Sequence, residues 1–228
     1  MNQVVVWLLS SFILAFSFFP QALSAESPHN FEKWENDMRA FERLDQTNPP
    51  PKGGLLFIGS STIKLWKSLP QDFPKHHVIN RGFGGSEIVD ATHFAERIIF
   101  PYQPRMIFLR AGGNDLWFGK TSEQVFADFK EFVNKIHEKL PRTQILFISL
   151  SPSIERLKQV DKEKAVNAMV KSYAATDPGV KYVDTWSVPL GEDGQPSAEF
   201  FLTDKLHFNE AGYKRLIERV RPYLPSNE

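Results

Sequence analysis

In Leu55-Leu56-Phe57-Ile58-Gly59-Ser60-Ser61-Thr62, four apolar residues run into a glycine and three hydroxyl side chains. A short, unbroken apolar run ended by a turn signal reads as a strand buried on both faces. Gly59 allows the sharp turn, and a short helix over residues 62–66 is expected to follow. The pattern recurs at Met106-Ile107-Phe108-Leu109, which leads into Gly112-Gly113-Asn114-Asp115. Further strands are expected at residues 78–80, 145–150 and 180–183. Helical spacing fills the intervals. Phe31, Trp34, Met38, Phe41 and Leu44 mark the first helix, which ends before a stiff Thr47-Asn48-Pro49-Pro50-Pro51 connector. Ile88, Ala91, Ala95 and Ile98 mark another, with Ser86 as its expected cap. Helices are also expected over 122–140, 160–175 and 210–223. Five short apolar strands separated by helices imply an α/β fold whose parallel sheet is covered on both faces. No internal repeat or second domain interrupts this pattern.

Composition narrows the function classes. Lys+Arg and Asp+Glu both total 27 in 228 residues, so the net charge is zero and no basic block stands out. That disfavours a nucleic-acid partner and leaves neutral sugars, lipids and small esters open. Cysteine is absent, which removes disulfides, thiol nucleophiles, lipoprotein acylation and Cys-ligated metals. His76 and His77 are adjacent and expected to point apart on a strand, so no metal-ligand pattern emerges.

The N-terminus reads as a leader rather than as part of the fold. Residues 4–19 are almost wholly apolar, Pro20 breaks the run, and Ala22-Leu23-Ser24-Ala25 offers small residues before Glu26-Ser27-Pro28. This is the pattern of a secretory signal over residues 1–25, leaving a single domain over 26–228. No Lys or Arg precedes Val4, and an uncleaved membrane anchor is the alternative, because the run approaches the roughly 17–20 residues that span a bilayer. A bacterial periplasmic or secreted protein is expected.

The candidate chemistry lies at the strand ends and in one late loop. A serine hydroxyl becomes a nucleophile only when a base takes its proton and donors stabilise the oxyanion. Ser61, just past a strand, suits this role, while Ser60, Ser61 and Thr62 read equally well as caps of the short helix. The α/β-hydrolase elbow G-x-S-x-G is disfavoured because position 63 is Ile. Asp204 and His207 are three apart, a spacing that puts both side chains on one face of a helical turn. Alternatively they are a capping Asp and a surface His. Asn114, after two glycines, can present its amide as an oxyanion donor or simply form a turn.

Taken together, these blocks resemble the SGNH (GDSL-type) hydrolase superfamily over nearly all of the chain beyond the leader. Phe57-Ile58-Gly59-Ser60-Ser61-Thr62 is similar to its first block, Asn80-Arg81-Gly82-Phe83-Gly84-Gly85 to its second, Gly112-Gly113-Asn114-Asp115 to its third and Asp204-x-x-His207 to its last. The resemblance implies Ser61 as nucleophile, His207 as base, Asp204 as its orienter, and an oxyanion hole from the N–H groups of Ser61 and Gly85 and the Asn114 amide. It also implies a three-layer α/β/α sandwich with a five-stranded parallel sheet in flavodoxin-like order, no metal and no cofactor. One departure is Ser60, which stands where the usual block has Asp and leaves a second hydroxyl beside Ser61.

The implied activity is hydrolysis of carboxylic esters, with short acyl groups on carbohydrate, lysophospholipid or small-molecule substrates. Acyl transfer to cell-envelope glycans is one alternative; a non-catalytic secreted binding module on the same fold is another. Trp66, Trp117 and Phe118 are either an apolar or sugar-stacking wall beside the site or ordinary core and rim aromatics.

Overall fold

The computed structural model describes residues 29–226, and from Phe31 onward these form one compact unit. The expected leader lies outside the described residues. Five strands, β1 (Leu55–Gly59), β2 (Val78–Gly82), β3 (Met106–Arg110), β4 (Gln144–Ile148) and β5 (Val180–Val183), form one sheet in the order β2-β1-β3-β4-β5. Every pairing is parallel. The helices are α1 (Glu35–Thr47), α2 (Ser61–Lys64), α3 (Leu69–Asp72), α4 (Ile88–His93), α5 (Ala95–Ile98), α6 (Gly113–Trp117), α7 (Ser122–Lys139), α8 (Val160–Ala174) and α9 (Glu210–Val220). The five-stranded α/β/α sandwich and its flavodoxin-like order are as expected.

Alternation along the strands divides the core in two, because successive side chains point to opposite faces. Leu56, Ile58, Ile107, Leu109, Ile145 and Phe147 pack with Met38, Ile88, Phe129, Val133 and Val166. On the opposite face, Leu55, Phe57, Phe108, Leu146 and Ile148 pack with Ile63, Trp66, Phe73, Leu216 and Val220. Hence α1, α4, α5, α7 and α8 cover one side and α2, α3 and α9 the other. Phe57 and Phe108 stack across β1 and β3, with ring centroids 4.4 Å apart.

Several local expectations are corrected. The helix expected through 88–98 is broken at Phe94 into α4 and α5, and its N-cap is Glu87, not Ser86. The Glu87 N–H donates to Asp90 Oδ2 at 2.7 Å, which fixes that start one residue later. His76 and His77 precede β2 rather than lying on it. Trp66 is a core residue, 1% exposed, whose indole donates to Asp72 at 2.7 Å; it is no wall of the site. Among the described residues no cluster of His, Asp and Glu suits a metal ion, and no helix is long and apolar enough to cross a membrane.

What matters for the site is the switch in strand order. The chain leaves β1 for β2 on one side and then crosses to β3 on the other. In open parallel sheets, the crevice beyond the carboxyl ends at such a point is where ligands bind. The Ser60-Ser61, Gly85 and Asn114 segments all emerge there.

Candidate active site

At Gly59 the backbone has φ +139°, and a Cβ would lie 2.0 Å from the Arg110 carbonyl oxygen, so only glycine lets β1 turn against β3 here. Ser60 continues the sheet by donating its N–H to that carbonyl at 3.1 Å. Its own carbonyl accepts from Ile63 and Lys64, while its side chain makes no capping hydrogen bond. Ser61 therefore opens α2, where the first N–H groups of a helix have no intrahelical acceptor. Two partners fix this turn from outside. Tyr213 on α9 donates to the Thr62 carbonyl at 2.8 Å, and the Asn80 amide on β2 donates to the Ile63 carbonyl at 2.7 Å.

Asn114 is held in one orientation. Its Nδ2 donates to the Ser86 carbonyl at 2.9 Å, and its Oδ1 accepts from Arg156 at 3.0 Å. These bonds settle which end of the amide is the donor and leave one Nδ2 proton uncommitted. The first also ties the Gly85-Ser86 segment to α6. Gly85 itself has φ +79°, a conformation that favours glycine.

Asp204 and His207 meet, although not on a helical turn as expected. They lie in an irregular loop in which Lys205 has φ +56°. Asp204 Oδ1 accepts the N–H groups of Leu206 and His207 at 2.9 and 3.0 Å, and Oδ2 bonds His207 Nδ1 at 2.7 Å. Burial opposes ionisation of Asp204, but the bonds from the imidazole and the two backbone N–H groups outweigh it and hold the carboxyl at about 2. An ionised carboxylate accepts only, so Nδ1 carries the proton, and in the neutral imidazole Nε2 is the free acceptor.

Ser60, Ser61, Asn114 and His207 line a single pocket of about 70 Å³, together with Thr62, Gly113 and Leu206. Gly85 is not on this lining, and Asp204 reaches it only through His207. The wall also includes four charged or amide side chains, Arg110, Arg156, Gln159 and Glu163, beside the apolar Ala111, Leu150, Pro152, Phe201 and Phe208. Burial lowers the Arg110 guanidinium to about 10 and raises the Glu163 carboxyl to about 7. Trp117 and Phe118 stand half-exposed, with Arg156 over the Trp117 ring at 4.9 Å. None of the four wall residues was singled out from the sequence. Glu163 did carry a signal, since it lies three, four and seven residues before Val166, Asn167 and Val170 and so shares their buried stripe. Arg110 is a charge ending an otherwise apolar buried strand.

Residues 59–215 match the model of the GDSL-like lipase/acylhydrolase family. The chain belongs to this family. As a GDSL-like acylhydrolase it is a carboxylic ester hydrolase. It is similar to the human platelet-activating factor acetylhydrolase IB subunit alpha1, 27% identical over 182 residues, which cover 75% of this chain and 74% of that protein. The Bos taurus counterpart is 26% identical over 178 residues, with the same coverage. Among solved structures, a GDSL-like lipase from Bacteroides thetaiotaomicron superposes with TM-score 0.66 at 16% identity, over 85% of this chain and 96% of that one. An acetylxylan esterase from Geobacillus stearothermophilus, solved as a catalytic mutant, gives 0.61 at 17% identity, over 74% and 94%. At these identities the structural likeness concerns the fold alone.

Proposed function

We propose that this GDSL-like acylhydrolase cleaves short-acyl esters through a Ser61 acyl-enzyme. The observation that carries the reading is the shared pocket: Ser61, the oriented Asn114 amide and the Asp204-bound imidazole of His207 converge on one small space. Ser61 Oγ attacks the ester carbonyl carbon while His207 Nε2 takes its proton. The carbonyl oxygen, now an oxyanion, meets the N–H groups of Ser61 and Gly85 and the remaining Asn114 Nδ2 proton. Collapse expels the alcohol, which leaves with the proton from His207. Water then repeats the sequence and releases the acid. Asp204 holds the imidazole in the required tautomer and stabilises its cationic form.

The preference for short acyl groups rests on size. The pocket, about 70 Å³, is small. A long acyl chain would need an apolar groove in which each methylene gains ~0.8 kcal/mol. The acetylhydrolase and acetylxylan esterase among the similar proteins both act, by name, on an acetyl group. Ester substrates built on carbohydrate, lysophospholipid or small molecules fit this reading. Export, with maturation near Ala25 to a periplasmic or secreted enzyme, is part of the same proposal and rests on the sequence of residues 4–25.

A fluorophosphonate probe followed by peptide mapping tests the nucleophile; label on Ser60 instead of Ser61 refutes the assignment. A series of p-nitrophenyl esters tests acyl length, and kcat/KM rising from acetate to decanoate refutes the short-acyl preference. Intact mass of the exported protein tests the cut, and a mass retaining residues 1–24 refutes it.

A further inference from the structure

Part of the pocket wall, formed by Arg110, Arg156, Gln159 and Glu163, is charged and polar, and the reaction proposed above uses none of these groups directly. Arg110 donates to the Ser149 carbonyl, to Ser151 Oγ at 2.8 Å and to Thr185 Oγ1 at 3.4 Å. Arg156 donates to the Gly113 carbonyl at 3.3 Å as well as to Asn114. Gln159 Nε2 donates to Glu163 Oε1 at 2.8 Å and to the Gly113 carbonyl at 3.3 Å. Their other oxygens, Glu163 Oε2 and Gln159 Oε1, are buried and have no hydrogen-bond partner among the described residues. Both side chains are more than nine-tenths buried and both line the pocket, Glu163 at 4% and Gln159 at 6% exposure. Gly113 leaves this wall bare: a Cβ there would stand 4.0 Å from both Arg156 Nη1 and Gln159 Nε2.

A buried acceptor left unpaired is costly, so an acyl or alcohol group that brings no donor is penalised here. Charge narrows the choice further. An anionic group brings no donor for the unpaired Glu163 and Gln159 oxygens, and a cationic group would face Arg110 and Arg156. A neutral hydroxyl both donates and accepts, and so can bond to the oxygens and to the guanidinium or serine donors of the same wall. We propose that Glu163 and Gln159 form a specificity subsite that accepts hydrogen bonds from hydroxyl groups of the ester, so that the enzyme selects polyhydroxylated esters over apolar ones of equal size. This rests on the Ser61 acyl-enzyme reading and names the substrate class for it. The hydroxyl can come from the alcohol or from the acyl group.

The test compares matched ester pairs. Glyceryl monoacetate against butyl acetate places the hydroxyls on the alcohol; ethyl glycolate against ethyl acetate places one on the acyl group. The wild-type enzyme should favour the hydroxylated member of at least one pair by about tenfold or more in kcat/KM, and the pair that responds identifies the source. Glu163→Leu should reduce that ratio by about tenfold, mainly through KM, while Glu163→Gln, which keeps an acceptor oxygen, should restore most of it. A purely structural role would lower both members of a pair together. Gln159→Leu, which leaves no ionisable group behind, provides the second variant if Glu163→Leu does not fold. Ratios near one for the wild-type enzyme, or unchanged in both Leu variants, overturn the subsite. Turnover of p-nitrophenyl acetate that is lost in Ser61→Ala tests the parent reading separately. If that turnover does not depend on Ser61, the parent reading fails; if it does and the ratios are near one, only the subsite fails.

Discussion

Asp204 in the loop before α9 and Glu163 on α8 are carboxylates at the two ends of one site, and their surroundings drive them in opposite directions. Asp204 is nearly half exposed, yet three donors converge on its two oxygens and hold it at about 2. Glu163 is buried with one donor and one open oxygen, and burial lifts it to about 7. Burial raises the one carboxylate toward neutrality at physiological pH, and converging donors keep the other charged. The first suits support of an imidazolium, and the second suits reception of a neutral donor.

The sharpest break of this contrast is catalytic. Asp204→Asn keeps the shape but replaces the acceptor facing Nδ1 with an amide, so the imidazole takes the wrong tautomer. kcat on p-nitrophenyl acetate is expected to fall by roughly 10³–10⁴-fold. Glu163→Gln should cost less than about tenfold in kcat, because Glu163 touches no reacting atom. Equal losses in the two variants would erase the functional distinction. Next in size is Asn114→Ala, expected to lower kcat by ~10²–10³-fold with little change in KM, as for removal of one oxyanion donor. A change confined to KM would recast Asn114 as a substrate-binding residue.

The Asp204 half of the comparison was legible in the sequence and the Glu163 half was not, for physical reasons. Leu55–Gly59 and Val180–Val183 are strands as expected, because unbroken apolar runs between turn signals have few other solutions in a chain of this length. Asp204 and His207 are close in sequence, so a local loop suffices to join them, although its left-handed Lys205 was not foreseen. Glu163 sits among Asp161, Lys162 and Lys164, all exposed, and only its spacing to Val166 and Val170 hints at a buried stripe. Only the packing of α8 against α6, α7 and β5 turns it inward. Arg110 likewise passes for a strand end, because its partners Ser149 and Ser151 belong to another strand's exit. The shift of the cap from Ser86 to Glu87 depends on a side-chain bond, to Asp90, that apolar periodicity does not encode.

The smallest expected effects lie in stability against pH, where the two carboxylates should act on opposite limbs. Glu163 is raised from 4.5 to about 7, so the folded state keeps a proton that the unfolded chain releases. Its contribution is therefore full below about pH 4.5, falls as pH rises to about 7, and is constant above. Asp115, raised by burial from 3.8 to about 6, adds to the same limb between those values. Comparing the wild-type protein with Glu163→Gln in urea titrations isolates the first term: the variant should gain on the order of 1–3 kcal/mol relative to wild type between pH 4.5 and 7. Asp204 is lowered from 3.8 to about 2, so its contribution is present above about pH 3.8 and is lost as pH falls toward 2. Solvent screens this half-exposed pair, and Asp204→Asn should flatten the acid limb by less than Glu163→Gln flattens the upper one. A stability difference between wild type and Glu163→Gln that stays flat across pH 4.5–7 would mean that Glu163 is ionised throughout. The contrast with Asp204 would then rest on geometry alone.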